Sequence, residues 1–287
     1  MTVLEVRHLG IVGGGTMGAG IAQVAVQQGI GVTLIEQSEE RATAARSRIA
    51  SGLGKLLDRG QLDEPTRDRA IALLTTSKDY DDLARAEIVI EAVFEDLAIK
   101  GELASQLGPI LSTEAIFASN TSSISINKIA DRYPRPDRVV GIHFFNPVPV
   151  LPLVEIVVGE RTSSATVNRA EGLAHQLGKT PIHVRDRPGF VVNRLLIPMI
   201  NEAALLLGED VADAGSIDTA MKLGASHPMG PLALADLIGL DVCLAIMETL
   251  SSELDARRFA PAPLLRQLAA DGKLGRKSGE GFFRYDK

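Results

Sequence analysis

Leu9-Gly10-Ile11-Val12-Gly13-Gly14-Gly15-Thr16-Met17-Gly18-Ala19-Gly20, followed by an uncharged run to Ile35 and then Glu36, is the stretch that decides the fold. Leu9 to Val12 reads as a short buried strand, Gly13 to Gly15 as a tight turn, and Thr16 to about Gln28 as a helix. Gly31 to Glu36 reads as a second strand. Gly13, Gly15 and Gly18 fit G-x-G-x-x-G at a strand-to-helix junction, the context in which that motif carries weight. The first glycine allows the turn, the second lets backbone approach a pyrophosphate, and the third lets the helix pack on the strand. The amides of Thr16, Met17 and Gly18 open the helix and offer donors and positive dipole to an anion. Gly20 adds a further small position. Glu36, about 20 residues on, suits the ribose hydroxyls and repels a 2′-phosphate, so the expected cofactor is NAD. Arg41, close by, pulls against that preference. The run from Leu9 to Ile35 is long enough to cross a bilayer. Its eight glycines and three glutamines fit strand, turn and helix better than one spanning helix.

Outward from this unit, strand and helix signals alternate, the pattern of an α/β fold with a mostly parallel sheet. Further strands are expected at Glu87 to Val93, Ala115 to Ser119, Arg138 to His143, Leu153 to Val158 and near Pro181 to Val184. Helices are expected from Glu39 to about Arg59, Leu97 to Leu107 and Ser164 to Leu177. After Asp186 the β-branched runs stop, and Phe190 to Leu207, Ile217 to Lys222, Leu232 to Leu250 and Pro263 to Ala270 read as helices. The expectation is a Rossmann-type nucleotide-binding domain over residues 1–185 and an all-helical domain over residues 186–287.

Composition narrows the function classes. A net charge of −6 argues against a nucleic-acid-binding domain. A single cysteine, Cys243, excludes a disulfide framework and a cysteine-rich metal site, and no metal is expected. The start of the chain, with Glu5, Arg7 and His8, lacks the layout of a secretory signal, so a cytoplasmic setting without membrane association is the reading.

Ligands of open α/β sheets bind beyond the carboxyl ends of the strands. Those ends carry Asn120-Thr121-Ser122 and His143-Phe144-Phe145-Asn146-Pro147 here, and Glu155 stands alone among apolar residues in the strand after them. Oxidising an alcohol requires a base for the hydroxyl proton while hydride leaves carbon, and histidine suits that task near neutral pH. A carboxylate on its other nitrogen fixes the tautomer and stabilises the imidazolium. Glu155 is the candidate, because a lone glutamate in Leu153-Val154-Glu155-Ile156-Val157 is expected to be buried and paired. The histidines at 8, 175, 183 and 227 lack such a setting and read as structural or exposed.

Gly13 to Gly18, Ala118 to Ser123, His143 to Pro147 and Arg187-Pro188-Gly189-Phe190-Val191-Val192-Asn193-Arg194 together resemble the L-3-hydroxyacyl-CoA dehydrogenases, as do His227 to Pro231 and Gly275 to Phe282. The likeness runs in order over nearly the whole chain and fits the monofunctional bacterial branch acting on 3-hydroxybutyryl-CoA. The resemblance implies His143 as catalytic base, Glu155 as its orienting carboxylate, Ser122 on the substrate oxygen and Asn193 as a further polar group from the helical domain. It implies Glu95, Lys100, Asn120, Asn146 and Lys277 as cofactor contacts, an acyl-CoA substrate, and a homodimer formed through the helical domain. Lys55 and Arg59 are candidates for CoA contacts, though a solvated helix face explains them as well. Three departures stand out: Gly14 where alanine is usual, which is expected to be harmless, Glu36 in place of aspartate, and Phe283 where an aromatic hydroxyl is common. Relatives that oxidise free hydroxy compounds, gulonate or carnitine among them, share the fingerprint and the His–Glu pair. A non-catalytic NAD-binding relative is the other alternative, against which the Ser122, His143, Glu155, Asn193 set speaks.

Overall fold

The structure is a computed structural model that describes residues 5–285. It divides into two compact units that meet in sequence at Asp186 and Arg187. The strands of the first unit are β1 (His8–Val12), β2 (Gly31–Ile35), β3 (Leu74–Ser77), β4 (Ile88–Glu91), β5 (Ile116–Ser119), β6 (Val139–Phe144), β7 (Leu153–Val158) and β8 (Thr180–Arg185). They form one sheet in the order β3-β2-β1-β4-β5-β6-β7-β8. All neighbours run parallel except β6 and β7, which are antiparallel. Every residue of β4, β5 and β6 is buried. That explains their unbroken apolar runs, since a strand covered on both faces has no solvent side to mark.

The helices are α1 (Thr16–Gln27), α2 (Glu39–Asp58), α3 (Glu64–Ala72), α4 (Leu97–Leu107), α5 (Ile126–Ala130) and α6 (Ser164–Gln176). Ile21, Val24 and Ala25 of α1 join Leu9, Ile11, Val32 and Leu34 in the core under the sheet. Ser38, Asp63, Asp96, Ser125 and Ser163 cap α2 to α6 with side-chain oxygens. The first turn of α1 instead begins at Gly15, which offers no side-chain cap. Strand order reverses at β1, with β2 on one side and β4 on the other. The crevice beyond the carboxyl ends of β1 and β4 is therefore the place where this sheet type takes ligands.

The second unit holds α7 (Val192–Gly208), α8 (Ala214–Gly224), α9 (Pro231–Ile238), α10 (Leu240–Glu253) and α11 (Pro263–Ala270) around Ile197, Ile200, Leu232, Met247, Leu250 and Leu265. Two buried carboxylates organise it. Asp218 accepts from the amides of Leu232 and Ala233 at the start of α9. Asp236 accepts from the amides of Phe282 and Phe283 and from the Tyr285 hydroxyl, fixing the tail. Burial pushes the Asp236 carboxyl above its ordinary range despite these donors, with the nearby Asp218 adding to the rise.

The structure adds the short helix α5, which the sequence reading did not expect, and corrects that reading in three further places. Leu232 to Leu250 is two helices, broken at Gly239 with φ +109. The helix expected from Phe190 starts at Val192, because Gly189 (φ +74) and Phe190 (φ +48) form a left-handed turn. The segment 60–80 contains α3 and the edge strand β3, neither expected, since Leu74-Thr75-Thr76-Ser77 buries only Leu74. No helix among the described residues is long and apolar enough to cross a membrane.

Candidate active site

The glycine loop joins β1 to α1, and its glycines do different work. Gly13 has φ +98, and a Cβ there would lie 2.7 Å from the Ala92 carbonyl oxygen. A Cβ on Gly18 would lie 1.8 Å from the Gly13 carbonyl oxygen. Both close approaches are backbone against backbone, so no side-chain adjustment relieves them. A Cβ on Gly15 meets nothing within 4 Å. The bare backbone of Gly15 thus faces open space at the start of α1, where a diphosphate fits. Gly14 is required here as well as tolerated, since its Cβ would lie 2.4 Å from that of Ala45. The Gly14 amide donates to Glu36 Oε1 at 2.6 Å, and Arg48 donates to the Gly14 carbonyl. Glu36 therefore stands at the end of β2 with its carboxylate tied to the loop. Thr16 is exposed, whereas the Met17 side chain packs on the sheet core and leaves its backbone to the helix start.

A cleft of about 500 Å³ opens beside Glu36. Gly13, Gly15, Gln37 and Arg41 line one part of it, and Val93, Phe94, Ile99 and Leu103 supply apolar wall. An acid at the rim and aliphatic walls below match a ribose and a flat purine. These residues fit a dinucleotide with an unmodified adenosine ribose. The differing roles of the glycines are testable. Gly15→Ala is expected to keep the melting temperature and weaken NADH binding at least about tenfold, because its new methyl occupies ligand space only. Gly18→Ala is expected to lose about 3 kcal/mol or more of stability, because its methyl overlaps backbone. Thermal melts with fluorescence titration of NADH check both.

Beyond β4 and β5 lies a polar network. Lys100, 1% exposed, places its ammonium 2.8 Å from both oxygens of the fully buried Glu91 and 3.3 Å from Glu95 Oε2. Ser119 also donates to Glu91. Glu95 Oε1 accepts from the Thr121 hydroxyl (2.6 Å), the Ser122 amide (2.8 Å), the Ser123 amide (3.0 Å) and the Ser123 hydroxyl (3.1 Å). Partial burial pushes the Glu95 carboxyl up, but Lys100 and these donors outweigh it and hold it below the usual carboxylate range. Glu95 is therefore ionised at neutral pH and holds the backbone of Ser122 in place. The Lys100 ammonium is enclosed by the two glutamates, so any influence on a ligand passes through Glu95.

His143 lies near the end of β6 and is 4% exposed. Its cross-strand partner in the antiparallel pair is Glu155 of β7. Nδ1 of His143 is 2.7 Å from Oε2 of Glu155, whose side chain is fully buried. A carboxylate accepting at Nδ1 keeps the proton there and places the basic lone pair on Nε2. The Phe145 ring, 4.5 Å away between centroids, flanks the imidazole. Asn120 accepts the Phe144 amide at 2.9 Å, bracing β6 next to His143 from the end of β5. The pair is a base with a fixed tautomer in a dry setting.

The other expected residues fall into place more loosely. Lys55 and Asn146 line one cleft of about 270 Å³ together with Thr16 and Arg48. Arg59 follows the last residue of α2, is exposed, and does not line that cleft. Asn193 sits in the first turn of α7, and Lys277 places its ammonium on both oxygens of Asp241, both within the second unit. His8 bonds Thr33 at 2.9 Å, and His175 and His183 both face Glu171. Sequence reasoning missed Glu91, Arg48 and the paired hydroxyls of Thr121 and Ser123. Glu91 follows an apolar run, Ile88-Val89-Ile90, but stands at its end, where an acid reads as solvated, unlike Glu155 inside its run.

The comparisons agree along the chain. The family description "3-hydroxyacyl-CoA dehydrogenase, NAD binding domain" matches residues 8–187, and "3-hydroxyacyl-CoA dehydrogenase, C-terminal domain" matches residues 189–285. A Deinococcus radiodurans protein named "Probable 3-hydroxybutyryl-CoA dehydrogenase" is 47% identical over 96% of this chain and 99% of its own. A Mycobacterium tuberculosis 3-hydroxybutyryl-CoA dehydrogenase is 44% identical over 98% of this chain and 99% of its own. The crystal structure of the (S)-3-hydroxybutyryl-CoA dehydrogenase of Ralstonia eutropha superposes with a TM-score of 0.95 at 48% identity, covering 99% of this chain and all of that one. With a dinucleotide crevice, a buried His–Glu pair and full-length matches in both units, this chain belongs to the NAD-binding 3-hydroxyacyl-CoA dehydrogenase family.

Proposed function

We propose that this protein catalyses the reversible, NAD-dependent oxidation of L-3-hydroxyacyl-CoA to 3-oxoacyl-CoA, with 3-hydroxybutyryl-CoA as its substrate. The observation that carries the reading is the buried His143–Glu155 pair at 2.7 Å, in a chain of this family. Gly13, Gly15, the amides of Thr16 to Gly18, and Glu36 would hold the dinucleotide. The bound nicotinamide supplies the hydride acceptor in oxidation and the donor in reduction.

The chain's own part is proton handling and orientation. Nε2 of His143 takes the proton of the 3-hydroxyl as hydride leaves C3. Glu155 stabilises the imidazolium that results, and in the reducing direction His143 gives the proton back. The Ser122 hydroxyl holds the substrate oxygen, on backbone that Glu95 fixes. Asn193 keeps the role the resemblance gives it, a polar group acting on the substrate, and Asn120, Asn146 and Lys277 theirs toward the cofactor. Lys55 is the better of the two candidate CoA contacts, because it lines a cleft with Asn146 and Thr16. The same reading gives a cytoplasmic homodimer paired through the helical unit.

The test is reduction of acetoacetyl-CoA by NADH and by NADPH in parallel. Glu36, bound to the loop, leaves a 2′-phosphate facing a carboxylate, so kcat/KM is expected to favour NADH by at least about tenfold. Equal use of both would remove Glu36 as the discriminator. Turnover with neither would remove the proposal.

A further inference from the structure

Lys179 directly precedes β8, is 8% exposed, and has no place in the chemistry above. Its ammonium donates to the carbonyl oxygens of Val148 at 2.5 Å and Leu151 at 3.0 Å. No carboxylate among the described residues pairs with it, and burial lowers its pKa from the ordinary lysine value. A buried cation held only by two carbonyls is costly compared with a methionine of similar length. A residue kept against such a cost points to a geometric task.

The segment it holds is the turn between β6 and β7, whose facing residues include His143 and Glu155. Val148 is the centre of that turn and is 2% exposed. On its other side lies Gly20 of α1: a Cβ there would fall 3.0 Å from Val148 Cβ and 3.2 Å from Cγ2. Val148 is therefore gripped twice, by Lys179 at its carbonyl and by the bare backbone of the helix that opens at the diphosphate site. The extra glycine of the α1 sequence gains a purpose from this contact.

We propose that Lys179 is a positioning residue: with Gly20 and Val148 it locks the turn of the His143–Glu155 hairpin onto the cofactor-binding helix, holding base and hydride acceptor in one register. The inference rests on His143 being the base. It differs from a plain packing role because its loss would disturb kinetics more than stability.

The experiment uses the full chain with four variants: Lys179→Met, Lys179→Arg, Gly20→Ala and the Met/Ala double. For Lys179→Met the melting temperature is expected to stay within about 3 °C of the parent. Its kcat is expected to fall about tenfold and its KM for NADH to rise several-fold, a size set by misplacement of reacting groups by a fraction of an ångström. Gly20→Ala should show the same signature, Lys179→Arg should keep kcat within about threefold, and the double variant should be no worse than Lys179→Met, because both changes release one lock. Parent-like kinetics in Lys179→Met, or multiplying effects in the double, would overturn the proposal. A fall in melting temperature with kinetics intact would show packing only. If Lys179→Met does not fold, Gly20→Ala decides alone, and parent-like kinetics there overturn the lock. His143→Ala is the control: if it keeps turnover the catalytic reading fails, whereas the lock is judged on the Lys179 and Gly20 variants.

Discussion

Replacing His143 by alanine is expected to lower kcat for acetoacetyl-CoA reduction by about 10³- to 10⁴-fold while NADH still binds with parent affinity. The size is that of losing a general acid–base group, the role proposed for His143. The retained affinity follows from the glycine loop and Glu36, which hold the dinucleotide at the other end of the crevice and are tied to each other through the Gly14 amide. Alanine has a side effect that the structure makes explicit. Glu155, fully buried, loses its bond to the His143 ring, and breaking a buried charged pair destabilises the fold. His143→Asn is the companion variant, since its side-chain amide nitrogen stands near the position of Nδ1 and still donates to the carboxylate, but it cannot carry a proton at neutral pH. Both variants should lose turnover, and the asparagine should melt higher. Turnover within tenfold of the parent in both would remove His143 as the base.

Glu155→Gln is expected to lower kcat by about 10²- to 10³-fold. The amide can still accept from Nδ1, so the ring keeps its place at 2.7 Å while the negative charge is gone. Without that charge the imidazolium is less favoured, and reduction, which uses the imidazolium as acid, suffers first. KM for NADH should stay within about twofold. A kcat within about threefold of the parent would contradict the pairing. A proportional rise in both KM values with kcat intact would assign Glu155 to binding instead.

The legible parts of this molecule were those whose physics is local. The glycine loop is local: strand, left-handed turn and uncapped helix follow one another within a dozen residues, and the Gly13 and Gly18 contacts enforce them. The His143–Glu155 pair is not local, since it depends on cross-strand register. It could be foreseen because a lone glutamate in an apolar strand must find a partner. The same argument applied to Glu91 leads to Lys100, but Glu91 closes its strand and reads there as a solvated end. Lys100 looks like a surface residue of an amphipathic helix until β4 is placed beneath it. Edge strand β3 is hidden by threonines that no apolar pattern marks. Gly239 is hidden in the opposite way: one glycine in an apolar run reads as helix, while its φ of +109 breaks the run. Lys179 and Arg48 act on backbone carbonyls, which no side-chain pattern can announce.

The central claim is tested most directly by following NADH absorbance with the purified protein and acetoacetyl-CoA, with free acetoacetate in a parallel cuvette. Rapid oxidation of NADH with the CoA ester, and none with the free acid at equal concentration, is the predicted result. Oxidation with the free acid alone, or with neither while NADH binds, would contradict the assignment of a 3-hydroxyacyl-CoA dehydrogenase reaction to this chain.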